Sequence, residues 1–193
     1  FMIAVGSVGF GGFFAVYSYI AEVTTRETGL PTSAVPWVLA CLGVGMTIGN
    51  FLGGWATDRH ATRTVTWGFS AFILALLAYT QFASSPVGLV LTAFVIGITS
   101  SALIPSIQTR LIRISDEAAL LGAAVNHAAF NIGNSLGAWL GGLVIAGGFG
   151  YLAPGWVGVL PTVLGFGLAV VSVVVERREK SRNLNTIGIL TIA

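Results

Sequence analysis

Polar side chains are concentrated in one long apolar stretch of the sequence. Asn126 and His127 are followed by Asn131 and Asn134, so that positions 127, 131 and 134 are spaced four and three residues apart. This spacing predicts that the three side chains share one face of a helix. Because polar groups are unfavourable in lipid, this face is expected to border a cavity or another helix. We interpret it as the lining of a substrate path, with His127 as a hydrogen-bonding or titrating group. The alternative is that the amides join two helices.

An aromatic face is the second candidate binding surface. Four rings in the first apolar stretch follow the i, i+3, i+4, i+7 spacing of one helix face: Phe10, Phe13, Phe14 and Tyr17. Aromatic walls suit a site for amphipathic small molecules. Such a stripe can equally belong to a packed core, so both interpretations stay open.

The sequence also contains a pattern that is typical of hydrolases. Residues 133–137 match G-x-S-x-G with Ser135 in the nucleophile position, but that chemistry needs a sharp turn from a strand into a helix. His127 precedes Ser135 by eight residues, about 12 Å along a helix, which is too far for a hydrogen bond. We therefore predict no enzyme, and an intramembrane serine hydrolase is the weaker alternative.

Cysteine usage gives no further chemistry. The chain has one cysteine, Cys41, which can form neither an intrachain disulfide nor a cluster of thiolate metal ligands. The sequence shows no cofactor motif, so we expect no cofactor and no metal.

The candidate residues lie in apolar blocks that are long enough to cross a bilayer. Hydrophobic residues make up 55% of the chain and charged residues 8%, whereas about 25% is usual for charged residues. About 20 apolar residues cross the hydrocarbon core as a helix, and a helix satisfies its own backbone hydrogen bonds. The sequence predicts an all-α polytopic membrane protein with a cytoplasmic tail at 181–193. The six predicted transmembrane helices are 2–21, 36–57, 64–83, 87–109, 118–145 and 157–175.

Glycine spacing distinguishes the spans from one another. Small residues recur every fourth position in the second and fifth spans, which lets helix backbones approach closely. The glycines concerned include Gly45, Gly49 and Gly53, then Gly133, Gly137 and Gly141. Residues 69–77 of the third span are instead bulky and apolar, which predicts that this span faces lipid over much of its surface.

The basic residues are distributed unevenly between the two sides of the membrane. Six spans place eight of the nine on one side: Arg59, Arg63, Arg110, Arg113, Arg177, Arg178, Lys180 and Arg182. Basic loops stay cytoplasmic, so both ends of the chain are predicted to be cytoplasmic, in a cell or inner membrane. The same rule accounts for the basic tail, and we expect no nucleic-acid binding. No charged residue lies deep in any predicted span.

The junction of the second and third spans carries a recognisable signature. Residues 49–63 read GNFLGGWATDRHATR, which resembles the cytoplasmic motif G-x-x-x-D-R-x-G-R-R/K of the major facilitator superfamily. The positions that match are Gly54, Asp58, Arg59 and Arg63, whereas Ala61 and Thr62 depart from the motif. The resemblance implies a conformational-switch loop, in which the charge pair latches one helix to another. The alternative for Asp58 is a solvated loop position.

The resemblance also implies an architecture and an activity. Residues 17–20, the glycine-rich second span and residues 131–142 are similar to the drug and sugar efflux proton antiporters of that superfamily. The chain would then be the C-terminal six-helix half of a twelve-helix bundle, working with a missing N-terminal half, a small-molecule substrate and protons by alternating access. Phe1 and the absence of a basic flank also lead us to expect a piece of a longer protein. A self-contained six-span homodimeric transporter and a non-catalytic scaffold or receptor are the alternatives.

Overall fold

The computed structural model describes the backbone of residues 2–115 and 119–190. It describes the side-chain surroundings of residues 4–110 and 124–175, apart from Asn126. All regular structure in these residues is helical. The longer helices are α1 (Met2–Gly9), α2 (Gly11–Tyr17), α4 (Val35–Phe82), α5 (Pro86–Ser115), α6 (Ala119–Ala146) and α7 (Ala153–Leu190). The short α3 (Ile20–Glu22) leads into a π-helical turn at Val23–Glu27, and a 3₁₀ turn at Thr32–Ala34 precedes α4.

Five described stretches are long and apolar enough to cross a membrane. They are Ala4–Glu27, Thr32–Phe82, Pro86–Arg110, His127–Ala146 and Ala153–Val175. These stretches confirm the prediction of an all-helical membrane protein, whereas the number of six crossings stays a prediction.

The second and third predicted spans, 36–57 and 64–83, both lie in α4. Its 48 residues would extend about 72 Å as a straight helix, more than twice the thickness of a hydrocarbon core. The helix is interrupted at His60, whose φ of −150° and ψ of 71° are not helical. We call residues 35–59 α4a and residues 61–82 α4b. Each is longer than the about 20 residues that a crossing needs.

The chain reverses direction at His60, as the contacts of α4 with α5 show. In α4a, Gly45 lies against Phe94 and Gly53 against Ala102, so α4a runs parallel to α5. In α4b, Gly68 lies against Leu103, whereas the last residues of the helix contact Gly88 at the start of α5. Therefore α4b runs antiparallel to α5 and to α4a. The two segments match two separate crossings.

Glycines hold the parallel helix pairs together. A Cβ atom added to Gly49 would lie 2.8 Å from the Cα atom of Ile98, and one added to Gly133 would lie 2.7 Å from the carbonyl oxygen of Ser7. Contacts this short are incompatible with any side chain larger than hydrogen. The predicted glycine packing is thus confirmed for α4a against α5, and for α6 against α1 and α2.

The bulky third span is more buried than its composition suggested. Phe69, Phe72, Leu76 and Tyr79 of α4b are at most 1% exposed and form the centre of the core. One face of this span is thus buried in the core, and lipid contact over the rest of its surface stays a prediction. The reason for this burial is that α4b is packed by four neighbouring helices, since it contacts α1, α2, α5 and α7. Its opposite face is exposed, for example at Trp67.

The first predicted span, 2–21, is not one continuous helix. The backbone leaves the helical conformation at Tyr19, with φ −118° and ψ 12°. The Tyr19 hydroxyl donates a 2.7 Å hydrogen bond to the carbonyl oxygen of Ala138 in α6. This long-range bond, which the local sequence does not reveal, accompanies the break.

The apolar stretch also continues past residue 21, to Glu27. It therefore contains Glu22, Arg26 and Glu27, all at the end of the stretch rather than deep within it. The ends of helices tolerate carboxylates that find a partner. One Glu27 carboxylate oxygen accepts a 3.1 Å hydrogen bond from the backbone N–H of Tyr151.

The tail at 181–193 is helical as far as it is described. Residues 181–190 continue α7, which begins at Ala153 rather than at residue 157. Residues 176–187 include several strong helix formers and neither Pro nor Gly, so nothing in the local sequence ends the helix after the membrane.

Candidate functional site

The polar face of α6 is exposed in the structure. His127, Asn131 and Asn134 all lie on the continuous helix α6, and all three side chains are exposed. The side chain of Asn126 lies outside the described residues. The three exposed groups fall within the apolar stretch His127–Ala146, which confirms their shared helix face but not a role in binding.

The same helix borders an open groove of about 530 Å³. Asn131, Ser135 and Trp139 line it together with two aliphatic residues. Ser135 donates its hydroxyl to the carbonyl oxygen of Asn131 at 3.0 Å. Ser135 thus sits in the middle of a helix and lacks the strained turn of a nucleophile elbow, so this geometry gives no support to a hydrolase.

Phe13, Phe14 and Tyr17 of α2 form one cluster of ring contacts. The Phe13 centroid lies 5.1 Å from that of Phe14, with the rings edge to face, and 5.5 Å from that of Tyr17, where the Phe13 and Tyr17 rings are stacked. Phe10 turns instead to Phe130 of α6, at 4.4 Å. Phe10 and Phe13 are 5% and 4% exposed, whereas Tyr17 is 42% exposed.

The two predicted surfaces therefore lie on neighbouring helices but differ in accessibility. Glycine contacts join α2 to α6, and Phe10, which directly precedes α2, packs against Phe130 of α6. Phe10 and Phe13 act as packing residues in this arrangement. Phe14 and Tyr17 keep open surface that a ligand could reach.

Two polar residues of α4a were overlooked in the sequence. Thr47 and Asn50 are exposed and line a cavity of about 370 Å³ beside Phe51. Their spacing of three residues within an apolar stretch was a signal that could have found them. They join the α6 asparagines as exposed polar groups in membrane-spanning segments.

The predicted switch loop lies at the turn between α4a and α4b. Asp58, Arg59 and Arg63 are exposed, and a Cβ atom on Gly54 would meet nothing within 4 Å. The guanidinium of Arg59 lies 3.9 Å from the ring centroid of Trp55 and donates to the Trp55 carbonyl oxygen at 3.2 Å. These two contacts of Arg59 are within its own helix, so a latch between helices stays a prediction.

Metal binding finds no support in the part of the chain that the structure describes. Within it, no group of three His, Cys, Asp or Glu side chains is placed to hold an ion. The thiol of Cys41 lies 3.8 Å from the Val90 carbonyl oxygen. The described residues offer exposed hydrogen-bonding groups and aromatic rings, which suit reversible binding of a small molecule.

Comparison with known proteins identifies relatives along nearly the whole chain. The model of the Major Facilitator Superfamily matches residues 1–191. The inner membrane transport protein YdhP of Escherichia coli K12 is 35% identical over 173 residues, which are 90% of this chain and 43% of that protein. The putative transporter AraJ of the same organism is 29% identical, and the chloramphenicol resistance protein of Streptomyces lividans is 26% identical. Each of these two matches covers 74% of this chain and 36% of the relative. The chain spans less than half the length of these relatives.

Proposed function

The chain belongs to the major facilitator superfamily of membrane transporters, and from that premise we propose that it forms one half of a secondary transporter that exports small molecules in exchange for protons. The partner half would supply six further helices. Alternating access would come from rocking the two halves about a site near the middle of the membrane.

One observation carries the assignment of the site, namely the exposure of His127, Asn131 and Asn134 within an apolar membrane stretch. Amide and imidazole groups facing lipid would be unfavourable, so their face requires water, substrate or protein. A central cavity between two halves provides all three. We therefore place the substrate path along this face of α6, with Asn126 as a further member, beside Phe14 and Tyr17.

Phe10 and Phe13 take a supporting role in this proposal, because they are buried between helices and hold the aromatic cluster in place. Gly54, Asp58, Arg59 and Arg63 form the cytoplasmic turn that changes contacts as the halves rock. The distribution of basic residues supports a cytoplasmic location for this turn in a cell membrane.

Two features support efflux and a twelve-helix protein. A relative that shares 26% of the aligned residues is named for chloramphenicol resistance, which export of the drug would explain. The chain matches only 43% of the length of YdhP, as one half of a twelve-helix protein would. A homodimer of six-span chains is the competing architecture.

The architecture is tested by the intact mass of the native polypeptide, isolated from membranes with an antibody to residues 176–183. We expect a mass about twice the 20.0 kDa of this chain. A native mass close to 20.0 kDa would overturn the twelve-helix architecture and favour the homodimer.

The function is tested with the native polypeptide in liposomes that contain a pH-sensitive dye. Chloramphenicol and arabinose are added as probe substrates, and proton movement is recorded together with substrate transport. We expect Asn131→Ala to raise KM about 2- to 10-fold, which corresponds to losing one hydrogen bond of roughly 0.5–1.5 kcal/mol. Ser135→Ala is the matched control on the same helix, because the Ser135 hydroxyl is bound to its own backbone.

The possible results separate the parts of this proposal. Transport without proton movement would refute the coupling and leave the transporter assignment standing. Equal kinetics for Asn131→Ala, His127→Ala and the control would refute the proposed site. If neither probe substrate is transported by any variant while the pH-sensitive dye still reports proton movement, efflux of these compound classes is refuted.

A further inference from the structure

A further cavity lies between α4a, α4b and α5, and none of its lining residues belongs to α6. Its volume is about 440 Å³. Its walls are almost entirely apolar, and residues from both sides of the His60 turn contribute to it. We call it the α4 groove. Leu52, Ala56, Gly68, Ala71, Ile98 and Ala102 line its apolar part.

The rim of the α4 groove is cationic. Arg59, His60 and Arg63 line it at the turn, whereas the neighbouring carboxylate of Asp58 does not. Both arginine side chains are exposed. The guanidinium of Arg59 lies 3.9 Å from the Trp55 ring centroid, at the rim of the groove. A planar guanidinium is suited to bind phosphate oxygens with two parallel hydrogen bonds.

The apolar part extends away from this rim along the helices. From Arg63 to Ala71 the groove follows α4b for about 12 Å, at 1.5 Å per residue. A site with positive charge at one end and an apolar channel beyond it is complementary to a ligand with an anionic head and a hydrocarbon tail. Neither a free anion nor an apolar molecule would use both parts.

Two tryptophans place the rim at the level of the membrane surface. Trp55 and Trp67 line the groove and are 60% and 74% exposed. Exposed indoles of membrane proteins concentrate at the interface between hydrocarbon and water. The turn is also at the end of the bundle where the basic residues predict the cytoplasm, and anionic lipids are attracted to basic residues there.

From these observations we propose that the α4 groove binds an anionic phospholipid, with the phosphate on Arg59 and Arg63 and an acyl chain along α4b. This site is separate from the proposed substrate path, and it does not depend on the direction or coupling of transport. A bound lipid would bridge α4a and α4b across the His60 turn.

The proposal is tested with the native polypeptide in vesicles of phosphatidylcholine, with and without phosphatidylglycerol. Brominated versions of each lipid quench tryptophan fluorescence on contact. The difference in quenching between the unaltered protein and the Trp67→Phe variant measures how much brominated lipid contacts Trp67 in the α4 groove. We expect brominated phosphatidylglycerol to compete more strongly for this site than brominated phosphatidylcholine.

Charge variants measure the role of the arginines. A nearby basic residue contributes about fivefold to the binding of an anionic lipid, so Arg59→Gln with Arg63→Gln should lower the preference for phosphatidylglycerol roughly 25-fold. Arg26→Gln removes the same charge at the opposite end of the bundle, where Arg26 lies over Tyr151, and should leave the preference unchanged. Ala71→Phe keeps every charge but fills the groove, and should weaken the quenching of Trp67 by both lipids.

Four results would overturn the proposal. They are equal affinity for the two lipids in the unaltered protein, an equal loss in Arg26→Gln, displacement of the lipid by inorganic phosphate alone, and no quenching of Trp67 by either lipid. Displacement by phosphate would indicate a simple anion site, and absent quenching would mean that protein covers the groove. If the double arginine variant does not fold, Ala71→Phe and the lipid preference of the unaltered protein decide the question.

Discussion

The close approach of α4a to α5 predicts that one glycine substitution is harmful while another on the same helix is harmless. A Cβ atom on Gly49 would lie 2.8 Å from both the Cα and the carbonyl carbon of Ile98, and closer still to its carbonyl oxygen. Carbon atoms in contact normally lie about 3.5–4.0 Å apart, so α5 would have to move by roughly 0.7–1.2 Å. A Cβ atom on Gly43 would meet nothing within 4 Å.

The energies of the two substitutions can be compared because both exchange glycine for alanine in one helix. Each gains about 1 kcal/mol of helix propensity. Only Gly49→Ala adds the cost of overpacking, which is typically about 1–3 kcal/mol. At about 2–4 °C per kcal/mol for a chain of this size, Gly49→Ala should melt about 2–12 °C below Gly43→Ala.

The measurement is thermal unfolding in detergent, followed by far-ultraviolet circular dichroism at one scan rate for both variants. A common scan rate matters because unfolding of membrane proteins is often irreversible. If Gly49→Ala melts at or above the temperature of Gly43→Ala, α4a and α5 are not packed backbone to backbone at Gly49, and the close contact with Ile98 is refuted.

Three further substitutions test other contacts. Tyr19→Phe removes the hydrogen bond to the Ala138 carbonyl oxygen, which contributes roughly 1 kcal/mol, and should therefore lower Tm by about 2–4 °C. An unchanged Tm would show that the bond contributes nothing to stability. Gly165→Ala should destabilise because its Cβ atom would clash with the backbone of α1, whereas Gly167→Ala meets open space; equal thermal melting of the two would contradict the crossing of α1 and α7. Ser135→Ala should leave transport in liposomes unchanged, because its hydroxyl is bound to the Asn131 carbonyl oxygen; a rise in KM as large as that of Asn131→Ala would place Ser135 in the substrate path as well.

Properties that depend on neighbouring residues in the sequence were predictable. The four-residue spacing of Gly45, Gly49 and Gly53 indicated close helix packing, and the structure confirms it because small residues at this interval form one continuous groove on a helix. The shared face of Asn131 and Asn134 follows from helix geometry in the same way. The partner helix in each case could not be predicted, because spacing gives a face but not its neighbour.

Properties that depend on distant residues could not be predicted. The aromatic spacing placed Phe10 and Tyr17 on one face, but their different exposure depends on Phe130 in α6. The break at Tyr19 likewise accompanies a hydrogen bond to a residue 119 positions later in the chain. The apolar stretch runs past residue 21 to Glu27, whose carboxylate accepts a hydrogen bond from the backbone N–H of Tyr151, a residue 124 positions later in the chain.

The parallel pairing of α2 with α6 has a consequence for the order of events during synthesis. The Tyr19 hydroxyl can form its hydrogen bond only after Ala138, 119 residues later, has been synthesised. At about 5–20 residues per second, this interval takes about 6–24 s of translation. During that interval the glycine surface of the nascent first helix has no α6 to cover it. The insertion machinery or lipid must cover this glycine-rich surface until the fifth predicted span has been synthesised. Nascent chains stalled before residue 138 should therefore be preferred targets of membrane proteases, whereas chains released after α6 should resist them.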